Sequence, residues 1–218
     1  MVEENFLKTA IQANALRFGT YRLKSGRISP YFFNAGFFCN GRELYQLATC
    51  YAEVIIRKNI DFDLIFGPAY KGIPLAATVC AVLFEKYGKV VGYCYNRKEK
   101  KMHGEGGLVV GCELYNKKVL IIDDVITAGT AVTESIEMLQ SQNAIIVGIV
   151  LALDRQEFGL QLKLSAVQVT KEKYRLPIFA IATLEQLIKF IQQNNNFDPK
   201  LVQRIQAYQA LYSIISNN

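Results

Sequence analysis

"VLIIDDVITAGTA", residues 119–131, runs four apolar side chains into two adjacent carboxylates, then into a series of small and hydroxyl residues. Val119 to Ile122 read as a strand buried on both faces, because its apolar run is unbroken instead of alternating. Asp123 and Asp124 then emerge at the carboxyl edge of the sheet. Two close carboxylates repel and raise one pKa unless a cation neutralises them. As ionised acceptors they suit a hydroxyl-rich sugar or a metal-bound ligand. After Ile126 no bulky group follows, so backbone N–H groups are open to a ligand, and Thr127 and Thr130 add donors. A helix starting near Thr130 presents free N–H groups and a positive dipole end, worth about 0.3–1 kcal/mol to an anion. The stretch therefore predicts a phosphate cradle beside a sugar-hydroxyl clamp. It is not a Walker A loop, since no GK[ST] follows at the required spacing.

Working outward, the rest of the chain repeats the strand-then-helix rhythm. "DLIFG" leads into "PAYKGIPLAATVCAVLFEKYG", with Pro74 suited to the first turn of a helix. "VVGYCY" is a strand followed by a polar segment, 96–107. "IIVGIVLALDR" and "PIFAIAT" are further strands, the latter before the helix "LEQLIKFIQQN". Towards the N-terminus the pattern predicts a helix over about 3–17, extended segments around "YRLKSG" and "SPYFFNAG", and a longer helix, "RELYQLATCYAEVIIRKN". "SAVQVTKEKYRLP" and "PKLVQRIQAYQALYSII" read as closing helices. Apolar strands alternating with amphipathic helices indicate an α/β fold, with a central mostly parallel sheet covered on both faces. Ligands of such sheets bind beyond the carboxyl ends of the strands. No composition break or linker divides the 218 residues, so one domain is expected over 1–218.

Composition narrows the classes. No apolar run approaches the roughly 20 residues of a membrane span, and "MVEENFLKTAIQ" carries acids where a signal peptide has a basic region. A cytoplasmic protein is expected. The formal net charge of +6 favours anionic partners, and both nucleic acid and phosphorylated small molecules satisfy it. Cys39, Cys50, Cys80, Cys94 and Cys112 are scattered without CxxC spacing, as expected of reduced thiols. His103 is the lone histidine, set in "NRKEKKMHGEGG" among cations. By composition that segment is a solvated loop ending in hinge-permitting glycines, yet its row of cations also suits a pyrophosphate leaving group.

"VLIIDDVITAGTA" resembles the signature for 5-phosphoribosyl 1-pyrophosphate (PRPP) of the type I phosphoribosyltransferases. "LKSGRISPYFFNAG" (23–36), "FGPAYKGIP" (66–74), "NRKEKKMHGEGG" (96–107) and "LDRQE" (153–157) are similar, in this order, to the orotate branch of that family. The resemblance is close over about 16–157. It implies the type I phosphoribosyltransferase fold with a small N-terminal hood, about 1–40, and a mobile catalytic loop, about 97–107. It implies transfer of the phosphoribosyl group from PRPP to orotate, Mg²⁺ held mainly by PRPP and water, and a homodimer with a loop shared across subunits.

The same resemblance distributes the site residues. The PRPP side takes Lys24, Tyr70, Lys71, Arg97, Lys98, Lys101, His103, Asp123 and Asp124. Val125, Ile126, Thr127, Ala128, Gly129, Thr130 and Ala131 form the phosphate loop. Lys101, His103 and Asp124 are the catalytic members, with Lys98, Lys101 and His103 reaching into the neighbouring subunit. Orotate falls to Phe32, Phe33, Thr127 and Arg155. On chemistry alone, tandem Phe residues on a strand send one ring inward and one outward. A guanidinium fork such as that of Arg155 matches a planar carboxylate. Two alternatives remain at this level. One is transfer to another base, such as a purine. The other is a PRPP-sensing regulator binding nucleic acid, although no basic helix-turn-helix is evident.

Overall fold

The computed structural model describes residues 1–101, 107–127, 129–159 and 164–213. The chain opens with helix α1 (Val2–Gln12), a hairpin of β1 (Leu16–Arg22) and β2 (Ile28–Phe33), and α2 (Gly41–Arg57). Strand β3 (Leu64–Gly67), α3 (Gly72–Tyr87), β4 (Gly92–Lys101), β5 (Gly107–Gly111) and β6 (Lys118–Asp123) follow. The remainder is α4 (Thr130–Ser141), β7 (Ile145–Asp154), α5 (Ala166–Tyr174), β8 (Ile178–Thr183), α6 (Leu184–Gln192) and α7 (Pro199–Tyr212). The main sheet has the order β5-β4-β3-β6-β7-β8, and β1-β2 form a separate two-stranded sheet. All neighbours in the main sheet are parallel except β4 and β5.

Strand alternation divides the core into two layers. Ile65, Leu120, Ile122, Val150 and Ala152 face one side, where they join buried residues of α1, α2, α3 and α6. Leu64, Phe66, Val119, Ile121, Ile149 and Leu151 face the other and pack on Val132, Ile136 and Leu139 of α4. The unbroken apolar runs follow from this: both faces of each central strand lie under helices.

The connections decide where a ligand fits. From β3 the chain crosses to β4 on one side, and β6 then pairs with the opposite edge of β3. The sheet therefore reverses direction between β3 and β6, and the loops at their carboxyl ends diverge to leave a crevice. The loop after β3 is very tight. A Cβ placed on Gly67 would land on the carbonyl oxygen of Gly72, and one on Gly72 would lie 2.6 Å from the carbonyl carbon of Gly67. The Ala69–Tyr70 peptide between them is cis.

Three elements differ from the sequence expectation. The first helix stops at Gln12, not near residue 17. Asn14 takes a left-handed conformation (φ 54°), which turns the chain into β1. The segment 96–107 is not all loop, because β4 continues through Lys101 and pairs with β5 from Cys94↔Gly111 to Lys101↔Gly107, with an irregularity between. Charged side chains hid this strand, since an edge ladder needs only backbone partners and leaves its side chains in water. The third difference is β5 itself, which no apolar pattern announced. Helix α7, expected to complete the fold, does so against the hairpin: Arg204 donates to the Gly19 carbonyl at 2.7 Å, and the Tyr208 ring meets Tyr31 edge-on.

Gly67→Ala is expected to lower the melting temperature measurably, since the added methyl meets backbone that cannot swing away. A cost of about 1–3 kcal/mol is typical of such overpacking. A melting curve superimposable on that of the unmodified protein would show that the turn relaxes freely.

Candidate active site

The two loops of the crevice are tied together by one ion pair. Lys71 Nζ donates to Asp124 Oδ2 at 2.8 Å, with the Lys71 side chain 47% exposed and that of Asp124 only 7%. The two acids do not share an environment. Asp124 is anchored at both ends: its carbonyl accepts the N–H groups of Ala152 and Leu153, each at 3.1 Å, and its Oδ1 accepts from Val125 N–H at 3.0 Å. Among the described residues Asp123 has no ion-pair partner of its own. Its Oδ1 accepts from Asp124 N–H at 2.8 Å, and its carbonyl takes the Tyr51 hydroxyl at 2.7 Å. Burial, followed by the charge of Asp124, pushes the Asp123 carboxyl up to about 7. The repulsion foreseen for adjacent acids is thus relieved by a lysine for one and by proton retention for the other.

Beyond the pair, Val125 is half-buried, Ile126 buried and Thr127 exposed. Gly129, in the left-handed region (φ 78°), caps α4 without a side-chain hydrogen bond. The first amides of α4, at Thr130 and Ala131, therefore point out of the helix end without a side-chain cap. Both residues are exposed, so an anion reaches these groups directly. Ala128 lies outside the described residues.

The loop after β3 carries Tyr70, 67% exposed, and Lys71. Two residues of β4 hold it: Asn96 Oδ1 accepts from Ala69 N–H at 2.8 Å, and Lys98 Nζ stands 4.8 Å from the centre of the Tyr70 ring. Arg97 lies between them on the strand. Within its own chain Lys98 rests on Tyr70. The cause is the parallel pairing of β4 with β3, which stacks residue 98 over the loop that follows β3. His103 and the side chain of Lys101 lie outside the described residues.

The hairpin separates the tandem phenylalanines as alternation requires. Phe33 is buried in the core against Phe6 and Phe38. Of the two residues expected beside orotate, Phe32 offers its ring outward and Phe33 turns its ring into the core. Phe32 packs on Tyr21, with the Arg17 guanidinium 5.7 Å from its centroid. Lys24 sits exposed in the β1–β2 turn. Arg155, one residue past β7, is 9% exposed and pairs with Glu157 at 2.6 Å, so the ion pair that composition alone would place on the surface is buried. Sequence reading missed Asn96, Tyr51 and Glu157 as supports. Tyr51 sits in the apolar stripe of α2, where nothing in its spacing marks it as polar.

A two-loop crevice at a strand-order reversal, with paired acids after one strand and a cationic loop after the other, is the arrangement of a phosphoribosyltransferase. Residues 39–183 match the family model described as "Phosphoribosyl transferase domain". The orotate phosphoribosyltransferase of Stutzerimonas stutzeri is 47% identical over 213 residues, covering 97% of this chain and 98% of the relative. That of Schizosaccharomyces pombe is 52% identical over 189 residues, covering 86% and 88%. The solved orotate phosphoribosyltransferase of Francisella tularensis superposes with a TM-score of 0.87 at 42% identity, covering 96% of this chain and 99% of that one. The chain belongs to the orotate phosphoribosyltransferase family.

The raised Asp123 value predicts a pH dependence. The folded protein keeps this proton up to about pH 7, whereas the ordinary value for the group is 3.8. Between those limits the native state binds more protons than the unfolded chain, so stability falls as pH rises through the window and levels off above it. Asp123→Asn should remove that slope. In thermal melts from pH 4 to 8, the difference in melting temperature between variant and parent should widen with pH, and a constant difference would refute the assignment.

Proposed function

We infer that this chain transfers the 5-phosphoribosyl group from PRPP to orotate, giving orotidine 5'-monophosphate and pyrophosphate in de novo UMP synthesis. The observation that carries the division of labour is the Lys71–Asp124 pair, which joins the loop suited to pyrophosphate to the acids suited to ribose. PRPP carries pyrophosphate on C1, next to the hydroxyls on C2 and C3, so the loops that hold them must be adjacent.

In this reading the amides of Gly129 to Ala131, with Thr127 and Thr130, take the 5'-phosphate. Asp123 and Asp124 accept the ribose hydroxyls, and their negative charge favours the oxocarbenium-like sugar that develops as the bond from C1 to pyrophosphate breaks. The electron pair of that bond leaves with pyrophosphate. Tyr70, Lys71, Arg97 and Lys98 surround the leaving group, with Lys24 between the two substrates. An incoming pyrophosphate competes with Asp124 for the Lys71 ammonium and so frees the carboxylate for ribose. The orotate ring nitrogen bonds to C1 as the bond to pyrophosphate breaks, and the proton that nitrogen carries passes to the departing pyrophosphate or to water. Because the developing cation at C1 is strongly electrophilic, no strong general base is required. The orotate ring rests on Phe32 and its carboxylate meets Arg155, a planar fork on a planar anion. That fork favours a carboxylated pyrimidine over a purine.

Mg²⁺ belongs to the proposal. Among the described residues no group of three or more His, Cys, Asp or Glu is arranged to hold a metal ion. We propose an ion carried in by PRPP and water, with Asp123 or Asp124 as the protein's carboxylate beside it. Bound, it would neutralise pyrophosphate charge. We further propose a homodimer in which Lys101 and His103 close over the site of the second copy and exclude water. The β1–β2 hairpin would form the hood over orotate. A cytoplasmic setting fits the reading, and no described helix is long and apolar enough to cross a membrane.

The direct test follows the near-ultraviolet absorbance of orotate with PRPP and Mg²⁺ present and each omitted in turn. Consumption that needs every component is the expected result, and no consumption by folded protein that binds PRPP would overturn the assignment. Lys101→Ala should lower kcat about 100-fold or more, the usual cost of losing a charge that stabilises a transition state, with little change in melting temperature. Mixing Lys101→Ala with Asp124→Asn should restore part of the activity through hybrid dimers. Complete subunit exchange without recovery would remove the shared site.

A further inference from the structure

Arg155 is held on three sides. Its Nε and Nη2 donate to Glu157 Oε1 at 2.9 and 2.6 Å, and Nη2 donates to Ser29 Oγ at 3.2 Å. The Tyr31 ring lies against the guanidinium, 4.3 Å from centroid to Cζ. Glu157 is itself crowded: the Tyr31 hydroxyl donates to Oε1 at 3.4 Å, and Arg27 Nη1 stands 3.8 Å from Oε2. The Ser29 hydroxyl, completely buried, donates to the Tyr31 carbonyl at 2.7 Å, so its lone pairs are turned to Arg155. Burial opposes the Arg155 charge, but the surrounding oxygens of Tyr31 and Glu157 outweigh it and its pKa lies above the ordinary value. Asp154 makes no ion pair with Arg155 among the described residues and instead accepts the Gln156 N–H at 2.8 Å.

Two features of this cluster point to a ligand. Arg27 and Arg155 together face one carboxylate, with Arg27 also donating to the Phe158 and Gly159 carbonyls at 2.8 and 3.4 Å, so the cluster carries net positive charge that suits an anion. The geometry also leaves one edge of the fork. Glu157 and Ser29 take Nε and Nη2, Nη1 donates to neither of them, and the Tyr208 phenol stands beside the pair. We propose that Glu157, with Ser29, is a positioning residue that fixes the Arg155 guanidinium so that its Nη1 edge receives the carboxylate of orotate. This rests on the reading of Arg155 as the arginine that meets orotate. Glu157 touches no substrate in this scheme. Its role is to remove rotational freedom from a long side chain before the ligand arrives, so that less is lost on binding.

The cluster also has a brace. Phe158 N–H donates to the Tyr212 carbonyl at 2.8 Å, and the Arg27 guanidinium lies 4.9 Å from the Tyr212 centroid. Helix α7 thus backs the specificity arginine, a role for the C-terminal region that its sequence did not suggest.

The test compares Glu157→Gln, Glu157→Asp and Ser29→Ala with the parent enzyme. Glutamine keeps the Oε1 acceptor but loses the negative charge and turns an NH2 donor toward Arg27, so the lock weakens. We expect the KM for orotate to rise about tenfold in Glu157→Gln, with the KM for PRPP and kcat within twofold. Glu157→Asp should recover part of the loss, and calorimetric binding of orotidine 5'-monophosphate should weaken in parallel with the orotate KM. Ser29→Ala removes the hydrogen bond to Arg155 together with those to the Tyr31 backbone and should raise the orotate KM about threefold, which keeps the test decisive even if Glu157→Gln does not fold. An unchanged orotate KM in the folded variants, or equal losses for both substrates, would overturn the positioning role while leaving the orotate reaction intact. Failure of the parent itself to consume orotate would instead overturn the reading on which the proposal rests.

Discussion

The site depends on a constraint of topology: β3 and β6 lie side by side while their helices leave to opposite faces of the sheet. Helix α3 packs in the layer with α1 and α2, and α4 packs in the other layer. Their N-terminal ends therefore part above the sheet, and the loops at 68–71 and 123–131 face each other across the gap. The Lys71–Asp124 ion pair spans that gap. With Lys71 half exposed, solvent screens this pair, and its contribution to stability is modest although Asp124 is buried. Its importance is positional, because it sets a cation and a carboxylate at hydrogen-bond distance where one substrate carries both pyrophosphate and ribose.

The two acids show how neighbours in sequence become different groups. Asp124 is balanced by Lys71, and its carbonyl is pinned by two amides of β7. Asp123, more dependent on burial and on its neighbour's charge, is pushed up to about 7. A ligand bringing hydroxyl donors would favour the ionised form and supply what the protein lacks there. The same logic extends to Arg155, where two guanidiniums face one carboxylate and the orotate carboxylate of our proposal would add a second. In the proposed reading both places hold an electrostatic deficit that a substrate relieves. Such deficits cost stability and are retained where binding needs them.

Much of this was legible in residues 119–131. An unbroken apolar strand, two acids and a run of small residues before a helix are local features, and local features are set by neighbours in the chain. The same holds for the alternation that sent Phe33 into the core and Phe32 outward. The misreadings share one cause. The continuation of β4 through its charged residues, and the strand β5, exist because each supplies the other's backbone partners, and side-chain pattern does not record that. The early end of α1 turns on one left-handed Asn14, which looks like any other polar residue at a helix end.

By itself, then, the sequence determined the layered α/β architecture, the order of its motifs and the chemical character of each loop, because these follow from side-chain periodicity and local hydrogen-bonding capacity. Tertiary structure alone decided which loops meet. It placed Lys71 on Asp124 across 53 positions of chain and set Ser29 against Arg155 across 126. It also put Lys98 over its own Tyr70 and made Tyr51 a support for Asp123. Charge balance and guanidinium orientation depend on distances of about 3–4 Å between remote segments. Those distances arise only when the strands have paired and the helices have covered them.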